Sequence, residues 1–422
     1  MFLFKKIRLK HLLTAFSKSM DYVDKALSNH HLRVACIAND IADAFDLPRQ
    51  DRVNIFLASV LHDIGVFSLK EKLELVNYEL KNPHAHAEKG YILIRDFKMF
   101  CDISNIIRYH HVPWDYGKGR FFDEVEVPIG AHVIHLADRI EILINKDQEI
   151  LSQRDAITKA INSRKNSLFI PEMVEAFIDL ASKECFWFDA SAPEIDQTIE
   201  LKGIMSDAEI DIHELVEISK LYSHVIDFRS SFTALHSAGV SAVSSLLAQL
   251  VGFSSIECQM MSVAGYLHDI GKLSVPTELL EKQGKLTENE FNIMKHHVYQ
   301  SYRILASVKN METINSWASF HHERIDGSGY PFHLRGKDLP IGARIVAVAD
   351  VFTAITEDRP YRKGMTEEQS LRLLQELAAQ NALDSDIVSI AISYIGELND
   401  IRNALQTKAN NDYSSIKLSN VC

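Results

Sequence analysis

Seven side chains able to bind metal follow one another through the second half of the chain: His236, the dipeptide His268-Asp269, His297, the pair His321-His322, and Asp350. Neutral imidazoles suit iron, manganese, zinc or nickel, and a carboxylate can bridge two such ions. Seven ligands exceed what one four-coordinate ion uses, so two ions bridged by Asp269 form the economical arrangement. Metal pairs about 3.5–4 Å apart recur in phosphoester hydrolysis, where they acidify a water and hold the non-bridging phosphoryl oxygens. Lys272, three residues beyond Asp269, is placed to neutralise the phosphate or to protonate the leaving oxygen. Asp269 and Lys272 are therefore the candidate catalytic residues.

Most of this set occurs twice. His62-Asp63-Ile64-Gly65 precedes His86, the pair His110-His111 and Asp138 in the first half, in the same order. His62 and His268 are 206 residues apart, His86 and His297 are 211 apart, and Asp138 and Asp350 are 212 apart. His30 matches His236 at the 206-residue spacing that also relates Val34 to Val240, which favours His30 over its neighbour His31. A lone histidine on an apolar face is usually a hydrogen-bonded core residue. Seven ligand types recurring in order make that explanation improbable and point to a second metal site of His30, His62, Asp63, His86, His110, His111 and Asp138.

The elements that must carry these residues are helices. Apolar residues recur at spacings of three and four in segments such as His31–Phe45, Pro128–Ile144, Val240–Val251 and Glu367–Gln380, and strand-like alternation is almost absent. The expected fold is all-α, with tandem helical domains related by internal duplication. Residues 1–205 form the first domain, including a helical connector from about residue 146; residues 206–410 form the second, and residues 411–422 a frayed tail. The net charge of −12 excludes a DNA- or RNA-coating surface. Five scattered cysteines without a C-x-x-C pair read as reduced thiols in a cytoplasmic protein. The basic, interrupted start from Met1 to Lys10 is too charged for a membrane span and predicts an amphipathic lead-in helix.

The second half resembles the HD-GYP subgroup of the HD superfamily of metal-dependent phosphohydrolases. The resemblance covers about Asp211 to Leu398. It rests on Phe232-Thr-Ala-Leu-His236, His268-Asp-Ile-Gly-Lys272, Met294-Lys-His-His297, His321-His-Glu-Arg-Ile-Asp-Gly-Ser-Gly-Tyr-Pro331, and Asp350 leading to Arg359-Pro-Tyr-Arg362. It implies a helical bundle with two or three iron or manganese ions that hydrolyses a bacterial cyclic dinucleotide, cyclic di-GMP or 3′,3′-cyclic GMP–AMP. By position, it implies the seven ligands above, Lys272 on the scissile phosphate, and Gly329, Tyr330, Arg359 and Arg362 as substrate-binding residues. Trinuclear members carry a glutamate where Phe232 stands, so a binuclear site is expected. Ser301 replaces a usual glycine, which reads as a local packing change.

The first half departs from that pattern. Val66 stands in place of the lysine, Val112-Pro-Trp-Asp-Tyr-Gly-Lys-Gly119 replaces the Gly-Tyr-Pro loop, and no Arg-Pro-Tyr-Arg run follows Asp138. It resembles a general HD phosphohydrolase, with Lys118 as a stand-in cation. The expected role is metal-dependent removal of the 5′ phosphate from the linear product; the rival role is a duplicate that packs or gates. A non-hydrolytic cyclic-dinucleotide-binding adaptor is the rival for the whole chain. A homodimer and signalling-protein partners are further expectations.

Overall fold

The structure is a computed structural model and describes residues 4–21, 29–66, 84–204, 208–228, 235–282, 284–358 and 363–418. Among these residues the only named strands are two two-residue ladders, both antiparallel: Ile7–Arg8 with Glu209–Ile210, and Phe121–Phe122 with Val125–Glu126. Everything else regular is helical, in agreement with the all-α reading. The chain divides into two units, one running from Asp24 to Ala208 and the other joining Met1–Val23 to Glu209–Lys417.

That division corrects the sequence boundary at the N-terminus. Helix α1 (Leu9–Asp21) belongs to the second-copy unit. Its buried face consists of Leu9, Leu12, Leu13, Phe16 and Met20, at helical spacing. Phe16 lies on Tyr222 with ring centroids 3.9 Å apart, and Ile7 pairs with Ile210. Burying a phenylalanine of this kind contributes about 1.5–3 kcal/mol, which the lead-in helix could not gain if left in water.

The first-copy unit is built on α2 (His30–Ala44), α3 (Arg49–Leu61), α4 (His84–Ile94), α5 (Cys101–Tyr109) and α6 (Ile129–Leu143). Helices α7 (Ile150–Asn162), α8 (Pro171–Ala181), α9 (Glu184–Ala190) and α10 (Ile195–Lys202) follow. The last three pack on α2, so the stretch read as a connector is part of this unit's core, with Phe177, Phe186 and Trp187 buried.

In the second-copy unit the corresponding helices are α11 (Ile212–Phe228), α12 (His236–Val251), α13 (Ser255–Leu267), α14 (Glu288–Ala306), α15 (Glu312–Ser319) and α16 (Ile341–Thr356). Helices α17 (Glu367–Ala379), α18 (Ser385–Ser393) and α19 (Ile395–Leu418) complete it. The duplication is visible in the packing. Helix α2 lies on α3 and α6, α3 on α5, α4 on α5, and α5 on α6; α12 lies on α13 and α16, α13 on α15, α14 on α15, and α15 on α16.

Local sequence starts these helices where the site needs them. Ser254 with Glu257 and Thr287 with Glu290 form capping boxes that begin α13 and α14. Pro128 and Pro340 occupy the N-caps of α6 and α16, so both copies of the Pro-Ile-Gly-Ala motif launch the helix that carries the last aspartate. Helix α19 runs through the residues read as a frayed tail as far as Leu418, because elongating a formed helix adds one hydrogen bond for each residue fixed. Residues 419–422 lie outside the described residues.

Candidate metal centres and active site

Each copy brings its seven predicted ligands together from separate helices. In the second copy, His268 closes α13, His297 lies within α14, His321 and His322 follow α15, His236 opens α12 and Asp350 lies on α16. Three of these imidazoles are oriented by the same device. Nδ1 of His268 donates to the Gly265 carbonyl at 2.8 Å, that of His297 to Met294 at 2.6 Å, and that of His321 to Ala318 at 2.6 Å. Each bond fixes the tautomer, leaving the Nε2 lone pair to face the site. His62 and His110 repeat it in the first copy, donating to Ser59 at 2.7 Å and Ile107 at 2.6 Å.

Several buried polar atoms at the site call for a cation. Nε2 of His268, His297 and His321 and Oδ1 of Asp269 are buried without a hydrogen-bond partner. Such groups are costly unless something else satisfies them, and a cation does. Potential ligand atoms of His236, His268 and Asp350 lie within 4.8 Å of one another, as do those of His297, His321 and His322. Asp269 stands between the groups, with Oδ2 3.1 Å from His268 Nε2 and Oδ1 3.2 Å from His297 Nε2. The first copy repeats the arrangement: His30, His62 and Asp63 form one group, and His86, His110 and His111 the other. There Asp63 reaches His62 at 3.5 Å and His86 at 3.3 Å. The donor set in both copies fits metal ions.

Two buried glutamates complete the cradles, and the sequence reading missed both. Glu357 accepts from Nδ1 of His236 at 3.3 Å, and Glu141 from Nδ1 of His30 at 2.6 Å. Burial lowers the basicity of His236, but Glu357 and Asp350 outweigh it and lift its pKa to about 10. The balance is the same at His30, where Glu141, Asp138 and Asp63 lift it to about 9. His30 thus has a glutamate partner, Glu141, as His236 has Glu357. His31 also comes within 4.0 Å of Asp63, at the position equivalent to Ser237. The signal for the glutamates was their place shortly after the last aspartate, Glu141 three residues on within α6 and Glu357 seven residues on at the C-cap of α16.

Lys272 sits in a short 3-10 turn, Ile270–Ser274, with its ammonium 2.5 Å from Asp269 Oδ2. Burial opposes the charge, yet Asp269 raises the Lys272 pKa and holds it protonated. Gly271 is required in that turn, because a Cβ there would collide with the His297 carbonyl oxygen. Ser301 is more than a packing change: its Oγ accepts from Gly271 N–H and donates to the His268 carbonyl, both at 2.9 Å. Asp227, also unpredicted, accepts from Ser237 Oγ at 2.9 Å, and burial raises its pKa to about 8.

Tyr330 stands beside His322 with ring centroids 5.0 Å apart, at the rim of the cradle. Its loop is held by Glu323, whose buried carboxylate accepts from Phe332 N–H at 2.6 Å and Leu334 N–H at 3.0 Å. Gly329 is buried beneath it, where a Cβ would strike the Glu323–Arg324 backbone. Arg359 and Arg362 lie outside the described residues, as does Phe232.

The first copy has a different cation. Lys118 pairs with Asp115 at 3.1 Å and is largely exposed, so it does not stand in for Lys272. Arg139 does approach the ligands, with Nη2 2.5 Å and Nε 3.1 Å from Asp138 Oδ2. His135, one turn earlier on α6, is buried beside His111 at 5.9 Å. In the second copy Ala347 and Val351 occupy those two positions.

HD-domain family patterns match residues 27–143 and 220–387. The chain is 30% identical to the 3'3'-cGAMP-specific phosphodiesterase 1 of Vibrio cholerae over 398 residues, 92% of this chain and 91% of that protein. The chain belongs to the HD-GYP family. It is 38% identical over 179 residues to the cyclic di-GMP phosphodiesterase response regulator RpfG of Xanthomonas campestris pv. campestris, 42% of this chain and 47% of that one. The crystal structure of V-cGAP3, a cyclic GMP-AMP specific phosphodiesterase of V. cholerae, superposes with a TM-score of 0.63 at 21% identity, over 96% of this chain and 98% of its own, and shares the fold. As an HD-GYP protein the chain is a metal-dependent phosphodiesterase. No helix among the described residues is long and apolar enough to cross a membrane.

Proposed function

We propose that the second-copy site opens one phosphodiester bond of a cyclic dinucleotide, giving a linear 5′-phosphorylated dinucleotide. Water adds to phosphorus, the P–O3′ bond breaks, and the 3′ oxygen leaves as a hydroxyl. The observation that carries this reading is Asp269, set between two imidazole groups with the Lys272 ammonium on the same carboxylate. His236, His268, Asp269 and Asp350 would hold one divalent ion, and Asp269 with His297, His321 and His322 a second, iron or manganese. Such a pair supplies Lewis acidity and an acidified water. Lys272, kept charged by Asp269, neutralises the phosphate as negative charge builds on the leaving oxygen. Tyr330, on its buried Gly329, and the Arg359 and Arg362 guanidiniums position the ring.

3′,3′-cyclic GMP–AMP is the first ring to test, because the relative named for it matches both copies; the relative named for cyclic di-GMP matches less than half of the chain. In the first-copy site, His30, His62, Asp63, His86, His110, His111 and Asp138 hold metal and remove the 5′ phosphate of the linear product. Asp138 and its Arg139 partner support that assignment, since a guanidinium fork suits a terminal phosphate. The cytoplasm is the proposed compartment, consistent with four free cysteines among the described residues.

The test is turnover of cyclic GMP–AMP and cyclic di-GMP by manganese- or iron-loaded protein, with products separated by chromatography. Asp269→Asn is expected to abolish ring opening. Binding of a ring without hydrolysis by the loaded wild type would instead establish an adaptor.

A further inference from the structure

Helix α14 carries more than the ligand His297. Phe291 and Lys295 occupy one face of it, four residues apart, and both meet Tyr330. The Phe291 ring stands nearly perpendicular to Tyr330, with centroids 6.1 Å apart and an interplanar angle of 80°. The Lys295 ammonium lies in the corner between them, 4.8 Å from the Phe291 centroid and 5.8 Å from that of Tyr330. Phe291 is 42% exposed, so part of its side chain is open to solvent. A single exposed phenylalanine means little. This one is joined by ring contacts through Tyr330 to His322, in steps of 6.1 and 5.0 Å, the scale on which a nucleotide extends from its phosphate through ribose to base.

The corner is also fixed in place. The capping box of Thr287 and Glu290 begins α14 one turn before Phe291, and Glu290 is further engaged by Lys282 at 2.6 Å. Glu290 is thus engaged by Lys282 and its own capping box, while the Lys295 ammonium lies against the two rings. On the other side, Phe332 packs on Tyr302 and Phe320 and anchors the loop that bears Tyr330.

We propose that Phe291, Lys295 and Tyr330 form the pocket for a guanine base of the cyclic dinucleotide. This rests on the phosphodiesterase reading above and adds a basis for recognising the base. Guanine stacks on the exposed Phe291 ring with its edge toward Tyr330. Lys295, on a flexible stem, turns from the rings to O6 and N7, both of which are acceptors. Adenine presents an amino donor where guanine has O6, so the same ammonium disfavours it. Phe291 and Lys295 are accordingly specificity residues.

The test uses the full, metal-loaded chain and steady-state kinetics on cyclic di-GMP and cyclic di-AMP, with metal content and melting midpoint measured for every variant. Losing a stacking partner is expected to raise KM for cyclic di-GMP about tenfold in Phe291→Ala, with kcat within about twofold, and Phe291→Trp restores it. Lys295→Met is expected to lower the preference in kcat/KM for cyclic di-GMP over cyclic di-AMP by about tenfold. An unchanged KM in Phe291→Ala, a loss confined to kcat, or an unchanged preference in Lys295→Met overturns the proposal. So does a Phe291→Ala variant that keeps its KM but changes oligomeric state, which would make this face an interface between copies. If the wild type opens neither these rings nor cyclic GMP–AMP, the phosphodiesterase reading itself falls; if it opens one and the variants match it, only the base pocket falls.

Discussion

Glu357 and Glu141 show how a candidate ligand histidine is held in place. Each accepts a hydrogen bond from Nδ1 of the first histidine of its set and directs Nε2 toward the aspartates. Replacing either with glutamine weakens that hold while leaving the ligand in place. Glu357→Gln is expected to lower metal affinity in the second-copy site by about 10- to 100-fold, and Glu141→Gln to do the same in the first, as read by competition with a chelator. Asp227 gives a pH signature. Its pKa is near 3.8 when unfolded and about 8 in the fold, so between those values the folded chain retains a proton that the unfolded chain has lost. Stability of the metal-free protein therefore falls as pH rises across that window and levels off above it. Asp227→Asn keeps an acceptor for Ser237 and removes the ionisation. Its urea midpoint should change less between pH 5 and 8 than that of the wild type; equal slopes would assign the effect to other groups.

At the scale of elements, the sites depend on helices that approach closely. The His-Asp turn lies against α14 so tightly that Gly271 admits no side chain, and Gly65 has the same relation to the His86 carbonyl in the first copy. Ser301 adds two buried hydrogen bonds to that contact, where the first copy has Gly90. Ser301→Ala leaves the Gly271 N–H and the His268 carbonyl without their partner, and is expected to cost about 1–3 kcal/mol in a denaturant titration. The Gly-Tyr-Pro loop depends on Glu323 in a comparable way. Glu323→Gln surrenders one of two charge-assisted bonds to the loop backbone. On the order of a tenfold rise in KM is expected, with metal content retained, because Tyr330 is then less firmly placed. A fall in metal content instead would show that the loop supports His322 directly.

At the scale of the whole molecule, duplication has produced two cradles with unlike surroundings. One has a lysine on the aspartate of its His-Asp pair; the other has an arginine on its last aspartate and a buried histidine one turn away. If the sites do different jobs, they should separate genetically. Asp63→Asn is expected to leave ring opening intact and to stop phosphate release, so that the linear 5′-phosphorylated dinucleotide accumulates. Asp269→Asn should block the ring yet still release phosphate from added linear dinucleotide. Phosphate release that survives Asp63→Asn would remove the proposed role of the first copy.

The candidate ligands and the duplication were legible from sequence alone. Metal binding demands particular residue types, so His62-Asp63 and His268-Asp269 and their followers kept both identity and order. Helical periodicity likewise revealed the all-α class, because each helix must turn an apolar face to its neighbours. Tertiary structure alone decided which side chains support the ligands. Glu141 and Glu357 do the same work at different distances from their aspartates, so no constant spacing betrays them. It decided that Arg139 approaches the first cradle while Lys118 stays at the surface. It also placed α1 in the second-copy unit and α14's exposed phenylalanine against Tyr330. Each of these turns on which helix faces meet, a relation between residues far apart in the chain.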